Sequence, residues 1–252
     1  MISVLYMGQK PLGERLFNTV LGNSEAFRLA FAVSNEIGEE TWWKSNNIYI
    51  TCRERGIPFI SNARRYTERI LELMDSAKPD ILISVQHAWI LPAAVLEKVG
   101  GRAYNLHCAP LPEYKGYNSF SHAILNGDDS YGVTIHEMAE KVDEGDIILD
   151  KRFAINGGET SWSLYNKTCE AGVEIFGEFL RLLAKGAPLP RRSMQGDGKF
   201  YGRNSLDGLK LINDAADARE VDLKSRAFYF PPFEPAFFIA DGKKHHVLPP
   251  NS

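Results

Sequence analysis

The sequence predicts an α/β protein built on a doubly wound, mostly parallel sheet, with a small C-terminal helix and β-hairpin appended. Three observations carry this reading. Short, continuously apolar runs such as Ile81-Leu82-Ile83 alternate with helix-like stretches through the first hundred residues, the order that generates right-handed βαβ units. The apolar runs are uninterrupted, as strands covered on both faces are. Near the C-terminus, Asp241-Gly242 separates two strand-like arms, a strong short-range hairpin signal.

Taken in order, residues 2–7 read as a buried strand ending at Gly8, and residues 12–21 as a helix. A second strand is expected over 27–33, a helix over 41–55 closed by Gly56, and a short third strand at Pro58-Phe59-Ile60. Residues 66–77 place Ile70, Leu71 and Met74 at helical spacing, followed by strands over 80–85 and 103–106. Beyond Asn118 the pattern changes to a helix over 120–125 and two strands, 132–138 and 147–155, joined by a loop around Asp143-Glu144-Gly145. Residues 160–185 form a long helix with Leu164, Ala171, Ile175, Phe179 and Leu182 on one stripe, Thr160 as N-cap and Gly186 as its stop. The Pro-, Arg- and Gly-rich stretch 188–197 divides a catalytic domain, residues 1–190, from an extension, residues 191–252. The extension holds a helix near 222–228 and the hairpin arms 236–240 and 244–248.

A chain of 252 residues with 44 % hydrophobic content suffices for one such domain and a small appendage. Its net charge of −3, with both signs interspersed, argues against a general nucleic-acid binder. No apolar run approaches the roughly 20 residues that span a bilayer, so no membrane partner is expected. The apolar start lacks a preceding basic region and reads as a strand, not a signal peptide. Cys52, Cys108 and Cys169 form neither a metal-type pair nor a disulfide framework, which fits a reducing cytoplasm. Cys108 is a conceivable thiol nucleophile, but on an extended segment it points away from the face that carries His107.

In an open parallel sheet, ligands bind beyond the carboxyl ends of the strands. Three such ends carry unusual residues: Gly8-Gln9-Lys10, Gln86-His87-Ala88-Trp89, and Asn105 with His107. The first end lacks G-x-G-x-x-G, which argues against a nicotinamide or flavin dinucleotide. Asn105 and His107 lie two apart and so share one side of a strand. An amide donor beside an imidazole suits an oxyanion and a proton transfer, and Asp143 is a candidate to orient the ring. The same types also fit a turn Asn, a core His and an acidic turn.

Asn105-Leu106-His107-Cys108-Ala109-Pro110-Leu111-Pro112, followed by Tyr114-Lys115-Gly116, resembles the N-x-H-x-S-x-L-P…G signature of the folate-dependent formyltransferases, with Ala109 in place of the usual Ser. Gly132-Val133-Thr134-Ile135-His136 and Val142-Asp143-Glu144-Gly145-Asp146 resemble that family's second block, which carries its Asp. Ala88-Trp89-Ile90-Leu91-Pro92 resembles the loop whose backbone holds the pteridine. The resemblance implies a Rossmann-like formyltransferase fold and N10-formyltetrahydrofolate as formyl donor, with no metal. It also implies Asn105, His107 and Asp143 as catalytic residues. Gln86, Ala88, Trp89, Ile90, Leu91, Val142 and Asp146 are the implied folate contacts.

Tyr201-Gly202-Arg203-Asn204 and Ser225-Arg226-Ala227-Phe228-Tyr229-Phe230 look like blocks of the sugar-nucleotide N-formyltransferases, which act on amino-dideoxy sugars for O-antigen and other surface polysaccharides. A nucleotide-linked amino sugar is therefore the expected acceptor, held by Gly8, Gln9, Lys10, Lys115, Tyr117 and Asn118, with Arg64 a further candidate for its diphosphate. Methionyl-tRNA, glycinamide ribonucleotide and water (a formyl-folate hydrolase) are the alternative acceptors. The hairpin, with Phe237 and Phe238, is expected to build a homodimer or else to pack on its own core. His245-His246 is read as a solvated hairpin edge.

Overall fold

The computed structural model describes residues 1–34, 42–43, 47–61, 66–87 and 89–250. The first strands and helices alternate as expected: β1 (Ile2–Gly8), α1 (Lys10–Gly22), β2 (Phe27–Ser34), α2 (Asn47–Arg55), β3 (Phe59–Ser61), α3 (Thr67–Ala77) and β4 (Ile81–Val85). Expected helical positions 41 and 44–46 lie outside the described residues. Then come α4 (Ala93–Glu97), β5 (Ala103–His107), β6 (Tyr114–Gly116), α5 (Ser119–Asn126), β7 (Ser130–Glu137), β8 (Ile147–Ala154) and α6 (Ser161–Lys185). The extension holds β9 (Lys199–Tyr201), α7 (Ala218–Ala227), β10 (Ala236–Ala240) and β11 (Lys243–Val247).

Seven strands make one sheet in the order β3-β2-β1-β4-β5-β7-β8. The pairs from β3 through β5 are parallel, and β7 runs antiparallel to both β5 and β8. The strand order reverses direction between β1 and β4. Both strands lead into connections at their carboxyl ends there, which opens the crevice where such sheets bind ligands.

Helices cover both faces. On one side α1 and α6 bury Leu12, Leu16, Phe17, Phe176 and Phe179 against Val4, Tyr6, Ile83 and Leu106. On the other, Ile70, Met74, Val95 and Leu96 pack on Leu5, Met7, Phe31 and Leu82. Two covered faces explain why β1 and β4 are apolar at nearly every position.

Helix α6 begins with a capping box: Thr160 accepts from the Ser163 N–H at 3.1 Å and the Ser163 hydroxyl accepts from the Thr160 N–H at 2.9 Å. It stops at Gly186, whose φ of 66° suits a residue without a Cβ. Leu182, expected on the buried stripe, is only half-buried. Leu183, four residues beyond Phe179, takes the core position instead.

Helix α7 starts four residues earlier than expected because Asp217 caps it, accepting from the Glu220 N–H at 2.8 Å. Asp241 and Gly242 both have positive φ, 50° and 70°, the conformation of a tight two-residue hairpin turn. That turn pairs Ala240 with Lys243, one residue before the expected start of the second arm. The short elements α4, β6 and β9 were not anticipated, since a single turn or three strand residues carry no readable period.

The extension is tied back to the sheet edge and to the loops above it. Ile147 and Arg192 exchange backbone bonds of 2.8 and 3.0 Å. Strand β9 pairs in parallel with β6, setting Tyr114, Lys115 and Gly116 opposite Lys199, Phe200 and Tyr201.

Candidate active site

The carboxyl ends of β4 and β5, the segment after β6 and the β7–β8 loop enclose a cavity of about 280 Å³. Asn105 and His107 line it from β5, as their two-residue spacing requires, and Asp143 lines it from the loop opposite.

The loop that carries Asp143 is closed by the Glu137 N–H donating to the Asp146 carbonyl at 2.9 Å. Gly145 packs so tightly there that a Cβ would collide with the Glu137 carbonyl. Asp143 itself sits at φ 55°, and Lys10, Gln86 and Asn118 also have positive φ (61°, 52° and 60°). All four line the cavity, whereas the other described non-glycine residues with positive φ, Lys78 and Asp241, do not. Left-handed backbone of this kind costs about 1–3 kcal/mol per residue and concentrates at ligand sites.

The three catalytic candidates are held by backbone groups as much as by one another. His107 Nε2 is 2.7 Å from the Tyr114 carbonyl, so that nitrogen donates and Nδ1 faces Asp143 Oδ2 at 3.6 Å. The same Oδ2 accepts from the Gly116 N–H at 2.9 Å, and Oδ1 lies 3.4 Å from His136 Nε2. Burial alone would raise the Asp143 carboxyl. Its surroundings, His107 first and the Gly116 N–H among them, outweigh it and hold the carboxyl well below the usual carboxylate range. The segment after His107 is fixed from β7. The Thr134 hydroxyl, fully buried, donates to the Ala109 carbonyl at 2.9 Å and accepts from the Leu111 N–H at 3.2 Å.

The expected folate contacts divide. Gln86, Trp89, Ile90, Leu91 and Val142 line the cavity. Ala88 lies outside the described residues. Asp146 does not reach the wall, and its Oδ1 accepts from Ser193 at 3.0 Å. Two buried polar atoms in this wall, Gln86 Oε1 and His87 Nε2, have no hydrogen-bond partner among the described residues. Apolar walls with a few unpaired polar atoms fit a flat heteroaromatic ring that has donors and acceptors on its edge.

Of the expected acceptor residues, Lys10, Tyr117 and Asn118 line the cavity, while Gly8, Gln9 and Lys115 do not. Gln9 is buried as the N-cap of α1, its N–H donating to the Val85 carbonyl at 3.2 Å, and Lys115 is buried with Glu144 at 3.4 Å. Lys115 is thus engaged by the protein itself, whereas the Gln9 side-chain Nε2 is buried with no hydrogen-bond partner among the described residues. Burial lowers the Lys10 ammonium from its ordinary value, and its Nζ lies 5.9 Å from the Trp43 ring centre. Arg203 stacks over Tyr117 at 4.7 Å and donates to its hydroxyl at 3.1 Å. Arg64 lies outside the described residues.

Cys108 also lines the cavity, but burial pushes its thiol far above the ordinary value, which removes the thiolate a nucleophile needs. Phe200 is a cavity residue that sequence reasoning did not mark, and His87 and His136 line the cavity from segments already singled out, though without a role of their own. A signal for His136 was present, since it lies two residues from Thr134 and so on the same face of the strand. Among the described residues no group of three or more His, Cys, Asp or Glu is arranged to hold a metal ion. None of their helices is long and apolar enough to cross a membrane.

A sequence profile described as "Formyl transferase" matches residues 2–180. A GDP-perosamine N-formyltransferase of Brucella melitensis is 30% identical over 245 residues, covering 97% of this chain and 91% of that protein. A methionyl-tRNA formyltransferase of Desulfotalea psychrophila is 28% identical over 206 residues, covering 81% of this chain and 62% of that one. A solved 4-N formyltransferase from Francisella tularensis aligns with a TM-score of 0.81 at 20% identity, over 98% of this chain and 96% of that chain. An N-formyltransferase from Helicobacter canadensis, solved in complex with folinic acid and dTDP-3-aminofucose, aligns with a TM-score of 0.75 at 21% identity, over 97% and 86%. At these identities the two structures establish a shared fold.

Proposed function

The chain belongs to the formyl transferase family, and from that premise we propose that it transfers a formyl group from N10-formyltetrahydrofolate to the amino group of a nucleotide-linked amino-dideoxy sugar. The observation that carries the reading is the convergence of Asn105, His107 and Asp143 on one cavity. The likeness to the Brucella GDP-perosamine enzyme, over nearly the whole of both chains, favours a sugar acceptor over methionyl-tRNA. A product destined for O-antigen or another surface polysaccharide is part of the same proposal.

The bound folate supplies a formyl group on a nitrogen that can leave. Gln86, Trp89, Ile90, Leu91 and Val142 would hold it, with Gln86 Oε1 and His87 Nε2 available to its ring edge. Asn105 donates from Nδ2 to the formyl oxygen as negative charge builds there, an interaction type worth about 10²–10³ in turnover. The attacking amine must be neutral and sheds a proton as it bonds to the formyl carbon. The His107–Asp143 pair takes up that proton and delivers one to the departing nitrogen. Within the pair the ionised Asp143 carboxylate orients His107 and stabilises its ring when the proton is there. Lys10, Tyr117 and Asn118 face the acceptor, with the Lys10 ammonium toward its phosphates.

The proposed setting is the cytoplasm, which three unpaired cysteines suit. The proposed assembly is a homodimer, supported by the exposure of Phe238 and Ile239 on the hairpin. The decisive experiment incubates the chain with N10-formyltetrahydrofolate and a panel of GDP- and dTDP-linked 3-amino and 4-amino sugars. Mass spectrometry of the acceptor should show the gain of one formyl group for at least one member. Release of formate without any formylated acceptor would replace this reading with the hydrolase.

A further inference from the structure

His136 is a buried imidazole, 2 % exposed, beside Asp143, and no step of the reaction as derived so far passes through it. It is the cross-strand partner of Asn105 in the β5–β7 pair. Its Nδ1 lies 2.7 Å from the Glu137 carbonyl, and a carbonyl only accepts, so Nδ1 carries the hydrogen. In the neutral ring Nε2 is then the nitrogen with the lone pair. Asn105 Nδ2 stands 3.1 Å from that nitrogen, and an amide nitrogen only donates.

We propose that His136 is a positioning residue that sets the direction of the Asn105 amide. Its Nε2 accepts one of the two Nδ2 hydrogens, which fixes which way the amide is turned and leaves the second hydrogen for the group bound in the cavity. An asparagine free to flip would present its carbonyl oxygen to the developing negative charge half of the time, and that contact is repulsive. The Glu137 carbonyl selects the tautomer, and strand register brings the ring to the amide. Asp143 Oδ1, 3.4 Å from the same Nε2, is the competing neighbour: a proton on Nε2 would turn the ring's interaction from Asn105 to Asp143. The assignment therefore requires Nε2 to be unprotonated in the working enzyme.

The inference rests on the formyltransferase reading for its consequence in turnover, but the hydrogen bond can be tested apart from it. The first measurement is the ¹⁵N imidazole spectrum of His136 in the full chain at neutral pH. A pyridine-type Nε2 and a pyrrole-type Nδ1 are expected, and a protonated Nε2 would overturn the proposal. The second compares His136→Gln, whose amide oxygen can accept from Asn105, with His136→Leu, which cannot. Equal thermal melts establish that both fold. With formyl-folate and a formylated acceptor, His136→Leu should lose about 10–100-fold in kcat with KM for the folate changed less than about threefold, and His136→Gln should regain most of the loss. Equal impairment of the two, or full activity of the Leu variant, would sink the positioning role. If the wild type formylates none of the sugars, the acceptor assignment falls while the ¹⁵N spectrum still decides the hydrogen bond.

Discussion

The Gly116 N–H and the His107 ring meet on one oxygen of Asp143, the first donating at 2.9 Å and the second standing at 3.6 Å. The carboxylate is thus located by the main chain before any ligand arrives. His107 is located in the same way, through the Tyr114 carbonyl two residues earlier. Preorganised donors and acceptors of this kind spare the reaction the cost of orienting them.

His107→Asn removes the proton-carrying ring while leaving a polar side chain of smaller volume. Turnover should fall by about 10²–10⁴-fold, with folate affinity and melting behaviour retained. Steady-state kinetics alongside isothermal titration with a non-reactive folate would check it, and near wild-type turnover would remove His107 from the mechanism.

Asp143 carries a pH signature of a definite sign. Its folded pKa is depressed, so its contribution to stability is complete above the ordinary carboxylate pKa of about 4 and is lost only as pH falls through the lower folded value. The stabilisation of wild type over Asp143→Asn should therefore persist from pH 7 down to about pH 5 and be lost only at lower pH. Turnover of the variant should drop by about 10²-fold or more, and the acid limb of its kcat/KM profile should change shape. An unchanged acid limb would count against coupling between Asp143 and His107.

His87 and His122 work in the opposite direction. Burial lowers both imidazoles from 6.5 to about 4, with the Lys199 charge adding to the effect at His122. Between those values the unfolded chain binds protons that the native state refuses, so stability should decline as pH falls from about 6.5 to about 4. Replacing both by Gln should flatten that decline, whatever it does to the absolute stability. Denaturant titrations at four or five pH values would reveal the slope, and an unaltered slope would contradict the burial argument.

The tail yields the fourth expectation. Phe237 is tied to its own chain, its carbonyl accepting from the Ile212 N–H at 2.8 Å and its N–H donating to Lys210 at 3.0 Å. Phe238 and Ile239 are left 39% and 54% exposed. A two-stranded ribbon with such residues outward is marginal by itself, and a second copy of the chain is the simplest cover. Sedimentation should give a dimer for the full chain and a monomer after deletion of residues 236–252. A full-length monomer at micromolar concentration would leave the hairpin as a local appendage.

Much of this architecture could be read from the sequence, and the misses have a common cause. The strand runs, the N-cap at Thr160 and the turn at Asp241-Gly242 are local, each written within a few residues. Asn105 and His107 were legible because a period of two holds within one strand. What depends on distant pairing was not legible. The meeting of Asn105 with His136 follows from the antiparallel register of β5 and β7. The engagement of Lys115 with Glu144, and of Asp146 with Ser193, draws those side chains away from the cavity for reasons that spacing does not encode. Strands β6 and β9 exist only as partners of each other.

That last pairing bears on how far this enzyme can be taken apart. Strand β6 contains both the carbonyl that holds His107 and the N–H that holds Asp143, and its neighbour, β9, comes from beyond residue 190. The contact leaves no slack, because a Cβ at Gly116 would meet the Tyr201 carbonyl and one at Gly198 would meet the Pro112 carbonyl. The family-profile match ends at residue 180, yet the contacts that position His107 and Asp143 do not. Anyone exchanging C-terminal segments between relatives to alter acceptor choice is also exchanging a buttress of the proposed reaction centre. Chimeras joined after residue 201 keep β6 and β9 from one parent, whereas those joined near residue 190 must inherit a strand that fits a foreign β6.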